Sequence, residues 1–152
     1  VPERVTFTPA RAEDVPAILA LLTDDPLGAG REHGDDLAPY LAAFEAIDGD
    51  PGELLMVGRR DGRVVATFQL SFVPGLSRGG ATRAQIEAVR VHADERGDGV
   101  GADLMAWAEQ EARRRGCALL QLTSDASRQD AHRFYERLGY APSHVGFKKL
   151  LG

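Results

Sequence analysis

The sequence predicts an α/β fold of the mixed α+β kind, a central sheet of mixed strand direction with helices on its faces. Three observations carry that expectation. Asp61-Gly62 separates two strand-like runs and signals a tight hairpin. From Arg83 onward, strand and helix patterns alternate, as parallel crossovers require. A turn rich in glycine, Glu95-Arg96-Gly97-Asp98-Gly99-Val100-Gly101-Ala102, lies directly before an amphipathic helix.

Each element has its own reason. Val5 and Phe7 alternate with Thr6 and Thr8 and predict a first strand. Val15, Ile18, Leu19 and Leu22 recur at helical spacing, and Pro16 is tolerated in a first turn. A loop from Asp24 to Asp36 leads to a second helix around Leu37, Leu41 and Phe44. Two strands follow, Leu54 to Arg59 and Val64 to Phe72. In the second, Ala66, Phe68, Leu70 and Phe72 share one face, and Thr67, Gln69 and Ser71 the other.

A fourth strand runs from Arg83 to His92 with a break in phase. Ala84, Ile86 and Ala88 point one way, whereas Val89 and Val91 occupy the opposite phase. Either a β-bulge near Ala88–Val89 or burial on both faces accounts for it. The next helix carries Val100, Leu104, Trp107, Ala108 and Ala112 in one stripe and stops at Gly116. Cys117 to Thr123 reads as a buried strand. Ala131, Phe134, Tyr135 and Leu138 mark a last helix ended by Gly139, and Val145 to Leu151 reads as a terminal strand.

Bulk properties narrow the function. The length of 152 residues suits a single domain spanning 1–152. The net charge of −5 argues against a general nucleic-acid binder, because phosphate backbones are held by surplus Lys and Arg. The one cysteine, Cys117, cannot form an internal disulfide and suits a reducing compartment. It reads as a core residue. There is no membrane-length apolar run and no signal-peptide pattern, so the expectation is a cytoplasmic protein without a membrane partner.

The glycine turn is a seat for a phosphate or pyrophosphate. Side chains are absent where an anion must approach the backbone, and the helix behind it presents free N–H groups and its positive dipole end. Gly97, Gly99 and Ala102 match the dinucleotide fingerprint G-x-G-x-x-A, and Asp125 lies roughly 20 residues on, where a ribose-binding acid belongs. Against that owner, His92 to Arg96 intervene between strand and glycine. A meander precedes the unit, and too little chain remains for two mononucleotide halves. A phosphate loop of the Walker type is excluded, because no Gly-Lys-Ser/Thr follows. A purely structural turn is the bland alternative.

Arg96-x-x-Gly99-x-Gly101, preceded by Val89-Arg90-Val91, resembles the coenzyme-A signature of the GNAT superfamily of N-acetyltransferases. Ala131-His132-Arg133-Phe134-Tyr135-Glu136-Arg137-Leu138-Gly139-Tyr140 resembles that superfamily's later A-x-x-F/L-Y-x-x-x-G-F/Y segment. The spacing of the two motifs and the order of elements are also similar, so the resemblance covers essentially the whole chain.

The resemblance implies a sheet of six to seven strands with a splayed parallel pair and about four helices. It implies acetyl-CoA as co-substrate, with no metal. Arg96, Gly97, Asp98, Gly99, Val100, Gly101 and Ala102 would hold the pyrophosphate. Val89, Arg90 and Val91 would pair with the pantetheine arm like an extra strand. Ser124, Arg128, Phe134 and Tyr135 would complete the cofactor site, although Arg128 stands where the family often has Asn.

Acetyl transfer to an amine needs a deprotonated nitrogen, donors for the oxyanion and an acid for the departing thiolate. Tyr135 matches the family's acid, its alternative being a core aromatic. Glu87 is the expected base, directly or through water, its alternative being a solvent-facing strand carboxylate. The Val89 N–H is the expected oxyanion donor, by resemblance.

Arg31 and His33, in the first helix–loop–helix, are candidate acceptor contacts, with a solvated loop as the alternative. His132 and His144 are weaker candidates, and Arg113-Arg114-Arg115 reads as a solvated helix end. The expected reaction is transfer of acetyl from acetyl-CoA to a small-molecule amine in a ternary complex, and a homodimer is compatible with it. A protein or peptide acceptor, or a non-catalytic acyl-CoA sensor, are the alternatives.

Overall fold

The structure, a computed structural model, describes residues 4–32 and 35–152. Its backbone divides into two compact units, Val1–Gln121 and Leu122–Gly152.

The first unit is built on one sheet in the order β1-β2-β3-β4-β5. β1 (Thr6–Pro9), β2 (Glu53–Arg60), β3 (Arg63–Val73) and β4 (Arg83–Val91) pair antiparallel in sequence. β5 (Leu119–Gln121) joins β4 in parallel. The sheet therefore changes from antiparallel to parallel at β4, as expected. The Asp61-Gly62 hairpin is present, with φ of 52° and 77° at its two central residues. Those left-handed values let the turn follow the twist of its strands.

The helices follow from the spacing of apolar residues. α1 (Val15–Thr23) and α3 (Ala38–Asp48) flank a short α2 (Pro26–Ala29). α1 and α3 bury Val15, Ile18 and Phe44 against Val57 of β2. α4 (Ser77–Gly80) is a single turn with left-handed residues inside it. α5 (Val100–Arg114) buries Val100, Leu104, Met105, Ala108 and Ala112, nearly the stripe read from the sequence.

Strand alternation assigns the two sheet faces. Thr67 and Val57 face α1 and α3, whereas Ala66, Phe68 and Leu70 face α5. Phe68 is fully buried and meets Phe7 and Trp107 edge-on, at centroid distances of 6.0 and 5.7 Å. Contacts of this kind contribute about 1 kcal/mol each beyond burial.

The second unit carries α6 (Gln129–Arg137), which is followed by Gly139 at φ 96°. The expected terminal strand from Val145 to Leu151 is absent. Residues 141–152 form neither helix nor strand, and Val145, Phe147, Leu150 and Leu151 are exposed. Alternation there is short and broken by Gly146 and Lys148-Lys149, too little to define a buried face. The fold thus has five strands among the described residues, not six to seven. β5 is also shorter than the expected Cys117–Thr123. Among the described residues there are six helices rather than about four, two of them single turns of four residues. No helix of the described residues is long and apolar enough to cross a membrane.

Candidate active site

The phase break in β4 is a bulge. Thr67 pairs with Arg90 and Gln69 with Glu87, so Phe68 alone faces two residues, Ala88 and Val89. Ala88 takes φ of 52°, a left-handed conformation that costs a residue with a Cβ about 1–2 kcal/mol. The bulge re-aims the strand at the point where the sequence changes phase. Parallel pairing also stops early. β5 contacts β4 only from Arg83–Leu119 to Gln85–Gln121, while β4 runs on to Val91. Residues Ile86 to Val91 therefore have no parallel strand partner among the described residues.

The glycine turn follows. A 3-10 turn (Ala93–Glu95), begun by His92 accepting from the Asp94 N–H at 3.1 Å, leads to Arg96. Glu95 is tied to Arg60 at the end of β2 by an ion pair of 3.0 Å between mostly buried side chains. That tether holds the turn against the sheet. Gly97 and Gly99 adopt φ of 88° and 82°, and a Cβ added at either would meet nothing within 4 Å. These glycines are required by backbone angle, and the room above them is open. Gly99 caps α5, and its carbonyl accepts the Asp103 N–H at 3.0 Å. The first-turn N–H groups have no acceptor within the helix. Arg96 and Asp98 are exposed beside them. The cradle thus fits an anionic group such as the pyrophosphate of coenzyme A.

Glu87 lies on the α1/α3 face, directly across from Gln69. It is exposed, and accepts from Gln85 at 3.0 Å. The reading of a solvent-facing strand carboxylate therefore describes its surroundings. Gln85 in turn accepts from Gln121 at 3.0 Å. On the same face Glu53 accepts from Gln69 at 3.2 Å and from Ser71 at 2.7 Å. Sequence reading missed this polar network, although Gln69, Ser71, Gln85 and Glu87 at alternate positions were its signal.

Arg90 was expected among the cofactor residues. Its guanidinium pairs with Asp25 at 3.2 Å, both side chains mostly buried, and donates to the Val89 carbonyl at 2.9 Å. It braces the loop after α1 against β4.

Beside the bulge lies an apolar cavity of about 160 Å³ between α1, α3, β2 and β3, reaching Ala88. Gln69 and the fully buried Thr67 are on its wall, and the Thr67 hydroxyl is spent on the Met56 carbonyl at 2.9 Å. Arg31 is exposed after α2, and His33 lies outside the described residues.

In the second unit, Tyr135 is half-buried on α6. Its ring meets Phe134 at 5.1 Å and Tyr140 at 6.1 Å. Arg128 caps that helix, and its carbonyl accepts the His132 N–H at 3.1 Å. Ser124 precedes it in a half-buried coil. His132 Nε2 lies 2.9 Å from the Asp125 carbonyl, and His144 is exposed beside Ser143.

Cys117 is half-buried, and burial raises its thiol above the ordinary range despite the opposing charge of Arg115. In the arginine run Arg113 and Arg114 are exposed, as expected, whereas Arg115 is half-buried. Arg114 and Arg115 pair with Glu111, and Arg115 also lies 4.0 Å over the Phe72 ring and donates to the Pro51 carbonyl at 3.1 Å. Among the described residues, no group of three or more His, Cys, Asp or Glu side chains could hold a metal ion.

A bulged strand whose parallel partner ends early, leading into an open glycine cradle at a helix N-terminus, defines a protein suited to an extended, phosphate-bearing ligand. Residues 15–140 match the acetyltransferase (GNAT) family, and the chain belongs to that family as an acetyl-transferring enzyme. It is 36% identical over 116 residues to an aminoalkylphosphonate N-acetyltransferase of Salmonella typhimurium, covering 76% of this chain and 75% of that protein. Among solved structures it is similar to a transcriptional regulator from Bacillus halodurans C-125, with 40% identity, a TM-score of 0.94 and coverage of 97% and 100% of the two chains. A Trypanosoma brucei acetyltransferase has 25% identity and a TM-score of 0.75, with coverage of 97% and 100%.

Proposed function

We propose that this enzyme transfers an acetyl group from acetyl-CoA to a small-molecule amine by direct attack in a ternary complex, as one catalytic domain. The observation that carries the reading is the bulge at Ala88–Val89 leading into the glycine cradle. Family membership and the aminoalkylphosphonate relative support it.

The backbone N–H groups from Gly97 to Ala102, with Arg96 beside them, hold the pyrophosphate. The backbone of Val89 to Val91 pairs with the pantetheine arm. Ser124, Arg128 and Phe134 are assigned to the cofactor by their place in or ahead of the later family motif. When bound, acetyl-CoA supplies an activated thioester. Glu87 takes a proton from the acceptor nitrogen, directly or through water, so that the lone pair is available. The Val89 N–H donates to the carbonyl oxygen as charge develops there. The neutral nitrogen attacks the carbonyl carbon. As the C–N bond forms and the C–S bond breaks, the Tyr135 hydroxyl donates its proton to the departing sulfur. The second nitrogen proton passes through water to restore the tyrosine.

Tyr135→Phe should lower kcat about 100-fold while the KM for acetyl-CoA stays the same. Glu87→Gln should lower kcat/KM for the amine about 100-fold at neutral pH while acetyl-CoA binding stays the same. Unchanged rates for Tyr135→Phe would remove it as the acid. Tight acetyl-CoA binding without turnover on any amine or peptide would favour a sensor instead.

A further inference from the structure

We infer that the cavity beside the bulge is the acceptor pocket, and that it selects an amine carrying an apolar group the size of one phenyl ring or a branched alkyl chain. The inference deepens the acetyl-transfer reading and rests on it.

Four observations carry it. The first is size. The cavity measures about 160 Å³, and an apolar cavity of about 150 Å³ elsewhere stays dry and takes benzene. The second is its wall, formed by side chains such as Ile18, Leu19, Leu22, Phe44 and Leu55. No Lys, Arg or His is among the described residues lining it. An anionic tail such as a phosphonate would lose its hydration there without gaining a counter-charge.

The third is location. The cavity reaches Ala88, the left-handed residue of the bulge. The fourth is charge. Gln69 is on the cavity wall and stands directly opposite Glu87 on the same sheet face. Residues so paired have Cβ atoms about 5 Å apart. An amine with its ring in the cavity thus has a carboxylate within reach of its nitrogen. The pocket therefore fits a lipophilic primary amine, and it sets this chain apart from an enzyme specialised for aminoalkylphosphonates.

The test has two readouts on the full chain. The first compares kcat/KM for phenethylamine and 2-aminoethylphosphonate with acetyl-CoA present. The second follows methyl NMR signals of Val15, Ile18 and Leu19 on adding phenethylamine alone. We expect phenethylamine to be preferred at least tenfold and to shift those methyls. Ala43→Phe, at the exposed rim of the cavity, should raise the KM for phenethylamine tenfold or more while keeping the native methyl dispersion. Preference for the phosphonate with unmoved methyls would overturn the pocket and leave acetyl transfer standing. Shifted methyls with no acetylation of any amine would overturn both.

Discussion

Asp14 shows how a single residue joins the helical layer to the sheet. Its carboxylate is nearly buried at the start of α1, accepts the Arg11 N–H at 2.8 Å and pairs with Arg59 of β2 at 2.6 Å. Burial alone would raise its pKa. The Arg59 hydrogen bond, the Arg11 N–H and the two positive charges outweigh burial and hold it below the ordinary carboxylate value. A depressed folded-state pKa stabilises the fold above the unfolded value of 3.8, and that contribution is lost as pH falls through the folded value. Asp14→Asn should therefore cost roughly 3 kcal/mol at neutral pH, because Arg59 loses its partner. Urea titrations should show the gap between the two proteins narrowing as pH drops below 3.8. A gap that is constant with pH would contradict the assignment.

Cys117 makes a second prediction at this scale. Burial keeps its thiol protonated and so a poor nucleophile at neutral pH. Cys117→Ala should leave kcat within about twofold, as direct transfer to the amine requires. An acetylated cysteine trapped by mass spectrometry would reverse that conclusion.

Among the elements, the run from β4 through the glycine turn into α5 carries the proposed donor site. Gly99→Val places a β-branched side chain at φ 82° and fills the open space above the cradle. Acetyl-CoA affinity should fall at least a hundredfold by calorimetry, while far-UV circular dichroism stays native. Undiminished binding would remove the cradle from the site.

This run was legible in sequence for a physical reason. Left-handed backbone selects glycine at positions 97 and 99, and strand alternation exposes a bulge as a slip in phase at Ala88–Val89. The polar elements were less legible. Arg60 and Glu95 are 35 positions apart and Asp25 and Arg90 are 65 apart, by subtraction of their numbers. Neither pair has a local pattern to announce it. The tail from Val145 to Leu151 misled in the opposite direction, because a few alternating apolar residues resemble a strand whether or not a partner receives them.

At the scale of the whole molecule, one sheet serves two tasks. Its α5 face carries the core around Phe68, and its α1/α3 face carries the polar network with Glu87 and the apolar cavity. The donor's far end and the acceptor are therefore assigned to different parts of β4 and its flanks. The glycine turn is proposed to hold a part of the donor that every acceptor shares, and its backbone demands made it readable from a motif. The cavity proposed as the acceptor pocket is assembled from α1, α3, β2 and β3, and its size emerges only after folding.

Initial-rate kinetics of thiol release most directly distinguishes direct acetyl transfer to an amine from transfer through the enzyme and from binding alone. With acetyl-CoA and a primary amine both varied, release should require the amine and give intersecting double-reciprocal lines. Parallel lines, or acetyl-CoA bound without amine-dependent release, would contradict direct transfer.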